Sequence, residues 1–194
     1  MRWIVACDAI IVGSDLHREF LLSYTTKLIY QGRVLHLGIE SLTLPNGEAL
    51  QLEVVRHSGG AAVVALDRQD RVCLLRQYRH AGGGWIWELP AGRLEVNELP
   101  RTTAARELAE EAGLQASHWD TLGKMLATPG YSDEVIYLFL ARELASVPAQ
   151  PEEHELFEVH WIPFGQALKQ VHDGTIVDAK TMLGLTLAEK VLRG

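Results

Sequence analysis

Apolar and polar residues alternate with a short period over most of this chain, and the longer helical period takes over in three places. Toward the N-terminus, Lys27 to Tyr30, Arg33 to Leu37 and Glu48 to Val55 are short apolar stretches separated by Gln31-Gly32 and Pro45-Asn46-Gly47. Such punctuation predicts antiparallel strands, with Asn-Gly the best local hairpin signal. His57-Ser58-Gly59-Gly60 reads as a junction. Beyond it, Ala61 to Leu66 and Val72 to Tyr78 are β-rich runs joined by Asp67-Arg68-Gln69-Asp70, a four-residue hairpin connection. Trp85 to Leu89, Thr121 to Leu126, Val135 to Ala141 and Phe157 to Ile162 continue the strand series.

Helical spacing predicts Pro100 to Ala112, with proline at its start and Gly113 as its stop. A second helix, Phe164 to His172, ends at Asp173-Gly174, and a third, Asp178 to Leu192, carries Leu183, Leu187 and Val191 on one face. Strands outnumber helices without strict alternation, so the expected class is α+β, with a mixed sheet rather than a doubly wound one. The expected division is 1–57 as an N-terminal antiparallel β-sheet extension and 58–194 as the main domain. No internal repeat or low-complexity tract appears.

Composition narrows the function. Among 194 residues, 18 Lys and Arg face 25 Asp and Glu, a formal charge of −7. Nucleic acid and anionic lipid are therefore not expected partners. An anionic ligand would have to be held by a few placed arginines, backbone N–H groups or bound cations. Two cysteines, Cys7 and Cys73, make no disulfide framework and no metal spacing, which favours a reducing, cytoplasmic setting. The apolar run Trp3 to Val12 is interrupted by Asp8 and is too short to span a membrane.

The chemistry lies in Arg106-Glu107-Leu108-Ala109-Glu110-Glu111-Ala112-Gly113-Leu114. At about 100° per residue, with Glu107 at zero, Glu110 falls near −60° and Glu111 near +40°, and the apolar residues take the opposite side. Like charges this close repel by a few tenths of a kcal/mol per i,i+4 pair. Hard divalent cations relieve such repulsion and bridge carboxylates to phosphates. A solvated acidic helix face is the alternative on this stretch alone.

Gly92, five residues, Glu98, seven residues and then Arg106 to Leu114 complete a longer pattern. Here the sequence resembles the Nudix hydrolase family, and every fixed position of that family's box is matched. The resemblance implies the Nudix fold, a mixed β-sheet sandwiched between helices, and hydrolysis of a nucleoside diphosphate linked to another moiety. It implies Mg²⁺, with Mn²⁺ as a substitute, on Glu107, Glu110 and Glu111, and the Ala91 carbonyl as an extra ligand. By position Gly92, Glu98 and Gly113 brace the box, and Arg106 braces it beside the reacting groups.

The flanks Trp87 to Gly92, Arg76 to Arg79 and Pro129 to Glu134 resemble the ADP-ribose pyrophosphatase branch. One departure is His80, where that branch often has proline, and Met1 to about Thr25 has no match. The resemblance offers Glu134 as general base, with Glu111 and Asp133 as alternatives, and Arg79, Arg56, Glu88 and Tyr131 to the substrate. Trp85, Trp87 and Tyr131 are either base-stacking or core aromatics. The branch also implies a homodimer paired through the N-terminal sheet. Three readings stand: an ADP-ribose pyrophosphatase, a hydrolase of another nucleoside diphosphate sugar such as GDP-mannose, and a non-enzymatic Nudix-fold ligand sensor. Sensors tend to lose box glutamates, and none is lost here.

Overall fold

The structure is a computed structural model that describes residues 24–151 and 154–194. The run Trp3 to Val12 and Cys7 lie outside them. Among the described residues, ten strands and three α-helices follow in order: β1 (Tyr24–Gln31), β2 (Leu35–Thr43), β3 (Ala49–His57), β4 (Gly60–Ala65), β5 (Arg71–Arg79), β6 (Gly84–Glu88), β7 (Ala91–Arg93), α1 (Pro100–Ala112), β8 (Leu114–Leu126), β9 (Val135–Ser146), β10 (Phe157–Pro163), α2 (Phe164–His172) and α3 (Ala179–Arg193).

Strand β4 organises the interior, because all six of its residues are buried and neither face meets solvent. Alternation then assigns its side chains to two cores. Ala62 and Val64 join a cluster with Leu74, Leu138, Leu140, Ala167 and Leu185, on the side of α2 and α3. Ala61, Val63 and Ala65 join Ala104, Leu108, Phe139 and Ala141, on the side of α1. Strand β9 alternates in the same way. Helices thus cover the central strands from both faces, and the parallel pairing of β4 with β9 among antiparallel neighbours makes the four-stranded sheet β7-β4-β9-β8 mixed.

One expectation fails. Asp67 to Asp70 does turn the chain, with the Asp67 carboxylate accepting from the Gln69 and Arg71 amides at 2.9 and 2.8 Å. It does not close a hairpin, since β4 and β5 belong to different sheets and meet only at an isolated Leu66–Val72 bridge. Each strand is already paired on both edges, β4 with β7 and β9 and β5 with β6 and β10, so no edge is left for the two to form a ladder with each other. Strands β5, β6 and β10 form the second sheet.

The third sheet is β1-β2-β3, from the N-terminal region. Asn46 caps its second turn by accepting from the Glu48 amide at 3.1 Å. Every residue of β1 is exposed, including Leu28, Ile29 and Tyr30. No described helix is long and apolar enough to cross a membrane.

Candidate active site

Helix α1 carries the glutamates, and its packing fixes their direction. Ala104 and Leu108 lie one turn apart on its buried face, and Glu111 continues the same stripe three residues on. The carboxylates therefore do not stand clear of the apolar side: Glu111 is 2% exposed. Its Oε2 accepts from the Ala91 amide at 2.8 Å, which ties α1 to β7. Burial pushes the Glu111 carboxyl up to about 9, against the help of that hydrogen bond. Gly113, left-handed with φ of 63°, ends the helix.

Arg106 holds the remaining acids together. Its Nη1 donates to Glu107 Oε1 at 2.6 Å and to Glu110 Oε2 at 2.9 Å, while Nε and Nη2 each reach a Glu98 oxygen at 3.1 Å. Nη2 also donates to the Arg93 carbonyl at 3.2 Å. The Arg106 guanidinium holds the Glu98 carboxyl down near 2, and the carboxylates in turn raise Arg106, with Glu98 the largest influence. Glu107 is raised, because burial outweighs Arg106. Gly92 is required by close approach: a Cβ there would run into the Glu107 carboxylate.

Does this set fit the divalent cation that the box implies? The donors are all hard oxygens, the Glu107 carboxylate is seated on a glycine, and the Glu111 carboxyl is buried without a cationic hydrogen-bond partner. In chemistry they fit Mg²⁺ or Mn²⁺. Among the described residues no three metal-ligating side chains already converge on one point, and Arg106 Nη1 lies between Glu107 and Glu110.

A cleft of about 360 Å³ opens beside the box. It is lined by Ala91, Gly92, Met125, Ala127 and Glu134, with Arg79 and Lys180 as its cationic wall, while Glu107, Glu110 and Glu111 are not among the lining residues. The cationic wall is built on Glu88, which is 2% exposed. Arg79 donates to both Glu88 oxygens, at 2.9 and 3.0 Å, and Lys180 Nζ donates to Glu88 Oε2 at 2.7 Å and pairs with Asp178 at 3.0 Å. Burial opposes the Glu88 charge, but Arg79 and Lys180 prevail and keep its carboxyl below the ordinary range. Asp178 caps α3 through the Thr181 amide at 3.0 Å, and the buried Thr181 hydroxyl accepts from the Leu89 amide at 2.9 Å. These contacts bring Lys180 to Glu88 across 92 positions of chain.

The structure thus brings Ala91, Gly92, Arg79 and Glu134 to one cleft and places Glu88 beneath it as the anchor of two cations. Arg56 is not among the cleft-lining residues; its guanidinium is engaged with Glu40 and Asp133. Tyr131 is 57% exposed and also lies off the cleft wall. Trp87 packs edge-on against His160 and under Arg76, and Trp85 stands edge-on to Tyr78 on the surface. Sequence reasoning missed Lys180 and His57. Asp178 as a helix cap was the available signal for the first, and for the second the Gly59-Gly60 junction beside it.

Comparison with known proteins agrees with the box. The NUDIX domain family model matches residues 56–183. The chain belongs to the Nudix hydrolase family. It is 37% identical to the ADP-ribose pyrophosphatase of Mycobacterium tuberculosis over 173 residues, covering 88% of this chain and 84% of that protein. It is 34% identical to the GDP-mannose pyrophosphatase of Cronobacter sakazakii over 155 residues, covering 73% and 80%. A solved ADP compounds hydrolase superposes with a TM-score of 0.77 at 21% identity, covering 89% of this chain and 95% of the other, and so shares the fold.

Gly92→Ala tests the close approach directly. It should leave a folded protein whose Glu107 is displaced, with hydrolase turnover reduced about a hundredfold. Wild-type turnover in a folded Gly92→Ala variant would contradict the assignment.

Proposed function

We propose that this chain hydrolyses the pyrophosphate bond of a nucleoside diphosphate derivative, with ADP-ribose as substrate and AMP and ribose 5-phosphate as products. The observation that carries the reading is the complete box from Gly92 to Leu114, whose Gly92 and Arg93 line one cleft together with Glu134. The likeness to an ADP-ribose pyrophosphatase over most of both chains supports the choice of substrate. The likeness to a GDP-mannose pyrophosphatase favours, second, another nucleoside diphosphate sugar. Residues 1–57 serve as the pairing and substrate-side extension, and 58–194 as the hydrolase domain. Two cysteines in the chain, with Cys73 free and buried, suit a cytoplasmic enzyme.

Glu107, Glu110, Glu111 and the Ala91 carbonyl would hold Mg²⁺ or Mn²⁺. When bound, the cation screens the diphosphate and lowers the pKa of water near phosphorus. Glu134 takes the proton from the attacking water as the new O–P bond forms, and the bridging P–O bond breaks to release the second monophosphate. Arg79 and Lys180 donate to phosphate oxygens within the same cleft. Glu88, by binding both cations, aims them without occupying the cleft. Arg106 keeps Glu107 and Glu110 on the same side of α1 against their repulsion.

The exposed apolar residues of β1, Leu28, Ile29 and Tyr30, support a homodimer paired through the β1-β2-β3 sheet. Light scattering should give a dimeric mass, and a monomer at working concentration would contradict this.

The functional test is an assay of ADP-ribose beside GDP-mannose, with and without Mg²⁺. ADP-ribose should be the better substrate, turnover should vanish on chelation, and Glu111→Gln should lower kcat about a hundredfold or more. Near wild-type turnover of Glu111→Gln would overturn the site assignment, and preference for GDP-mannose would replace the substrate.

A further inference from the structure

We propose that Asp133 and Arg56 form a strap through which the N-terminal sheet positions the loop carrying Glu134, so that both are positioning residues rather than substrate contacts or bases. The inference rests on the proposed hydrolysis with Glu134 as its base.

The loop between β8 and β9 is tied to the end of β3 by backbone and side chain together. The Val55 amide donates to the Tyr131 carbonyl at 2.7 Å, and the Asp133 amide donates back to the Val55 carbonyl at 3.3 Å, a parallel bridge centred on Ser132. The Asp133 side chain then spends both oxygens on β3. Oδ1 accepts from the His57 amide at 2.9 Å, and Oδ2 accepts from Arg56 Nη1 at 3.1 Å. With both oxygens so engaged, Asp133 is poorly placed to take a proton from water.

Arg56 is itself anchored. Its Nε and Nη2 donate to the two Glu40 oxygens on β2 at 2.9 and 2.7 Å, and Glu40 is 4% exposed. The Tyr24 ring of β1 lies 5.4 Å from the guanidinium carbon. The line from Tyr24 and Glu40 through Arg56 to Asp133 therefore crosses all three strands of the outer sheet and ends one residue from Glu134.

The chain segment after β3 is equally constrained. Gly59 has φ of 81°, and a Cβ there would lie 2.7 Å from the Val135 carbonyl oxygen, so the junction passes directly against the residue that follows Glu134. Gly60 then pairs with Ile136. His57 Nδ1, which lies 3.4 Å from Glu134 Oε1, offers that carboxylate no donor, because it already accepts from the Gly59 amide at 3.0 Å. Glu134 is located by backbone on both sides and by the Asp133 strap. Its position matters because misplacement of a reacting group by about 1 Å can cost a hundredfold in rate.

The test compares Asp133→Ala and Asp133→Asn with wild type by steady-state kinetics and by amide hydrogen exchange over residues 131–134. Asp133 is a partly exposed side chain, and thermal denaturation verifies that both variants fold. Asp133→Ala should lower kcat ten- to a hundredfold with KM within about threefold, and speed exchange in that segment. Asp133→Asn, which still accepts from the His57 amide, should recover to within about threefold of wild type. Unchanged kcat and exchange in Asp133→Ala would overturn the strap, as would a raised KM with kcat intact, which marks a substrate contact. If wild type cleaves no nucleoside diphosphate derivative, the proposed function fails and exchange alone decides: faster exchange in Asp133→Ala supports the strap, and unchanged exchange overturns it.

Discussion

Arg106 is the cation on which the candidate site depends. Three glutamates on one turn of a helix repel each other, and one of them is driven into the interior by the same face that docks the helix. A single guanidinium bridges Glu107 and Glu110 while gripping Glu98 in the approach loop. Loop, helix start and acidic face are thereby one object. Arg suits this place because its donors diverge in a fixed plane, so it serves three carboxylates at once, which a lysine ammonium on a flexible stem would do less rigidly. Gly92 completes the arrangement by letting β7 approach the Glu107 carboxylate.

The cationic wall of the cleft follows the same logic with signs reversed. Glu88 is a buried anion that would be costly alone, and it is stabilised by two cations from distant parts of the chain. Breaking either pair leaves charge in a low-dielectric place, so Arg79 and Lys180 are held at fixed positions around it. An acidic protein can in this way present donors to a diphosphate, an anion that its net charge of −7 would repel. Arg79 and Lys180 thus share the cleft with Ala91, Gly92 and Glu134, while Glu107, Glu110 and Glu111 of α1 are not among its lining residues.

Much of this was legible in the sequence, and the failures share one cause. The helix Pro100 to Ala112 has its predicted bounds because proline and glycine set both ends locally. The three N-terminal strands follow their turns, and β8 and β9 extend beyond the short apolar runs that marked them, since cross-strand pairing carries a strand past its apolar part. The hairpin at Asp67 to Asp70 was misjudged because a turn determines a change of direction and not the strand's neighbours. The helical wheel set all three glutamates apart from the apolar face, whereas Glu111 lies in the buried stripe, where β7 supplies an amide to receive it. Arg56 read as a cation available to substrate, since nothing near it in sequence reveals Glu40 and Asp133, which lie 16 and 77 residues away. Lys180 escaped notice for the same reason. Local chemistry announces caps, turns and the box, and partners at long sequence separation are revealed only by the fold.

Cation binding tests the central claim most directly, because it asks what the acidic turn is for without reference to any substrate. Titration calorimetry of Mg²⁺ into wild type and into Glu107→Gln should show a saturable isotherm for the first and at least tenfold weaker binding for the second. Superimposable isotherms, or no binding to wild type at millimolar Mg²⁺, would mean that Arg106 alone neutralises these carboxylates and that they do not serve a metal-dependent hydrolase.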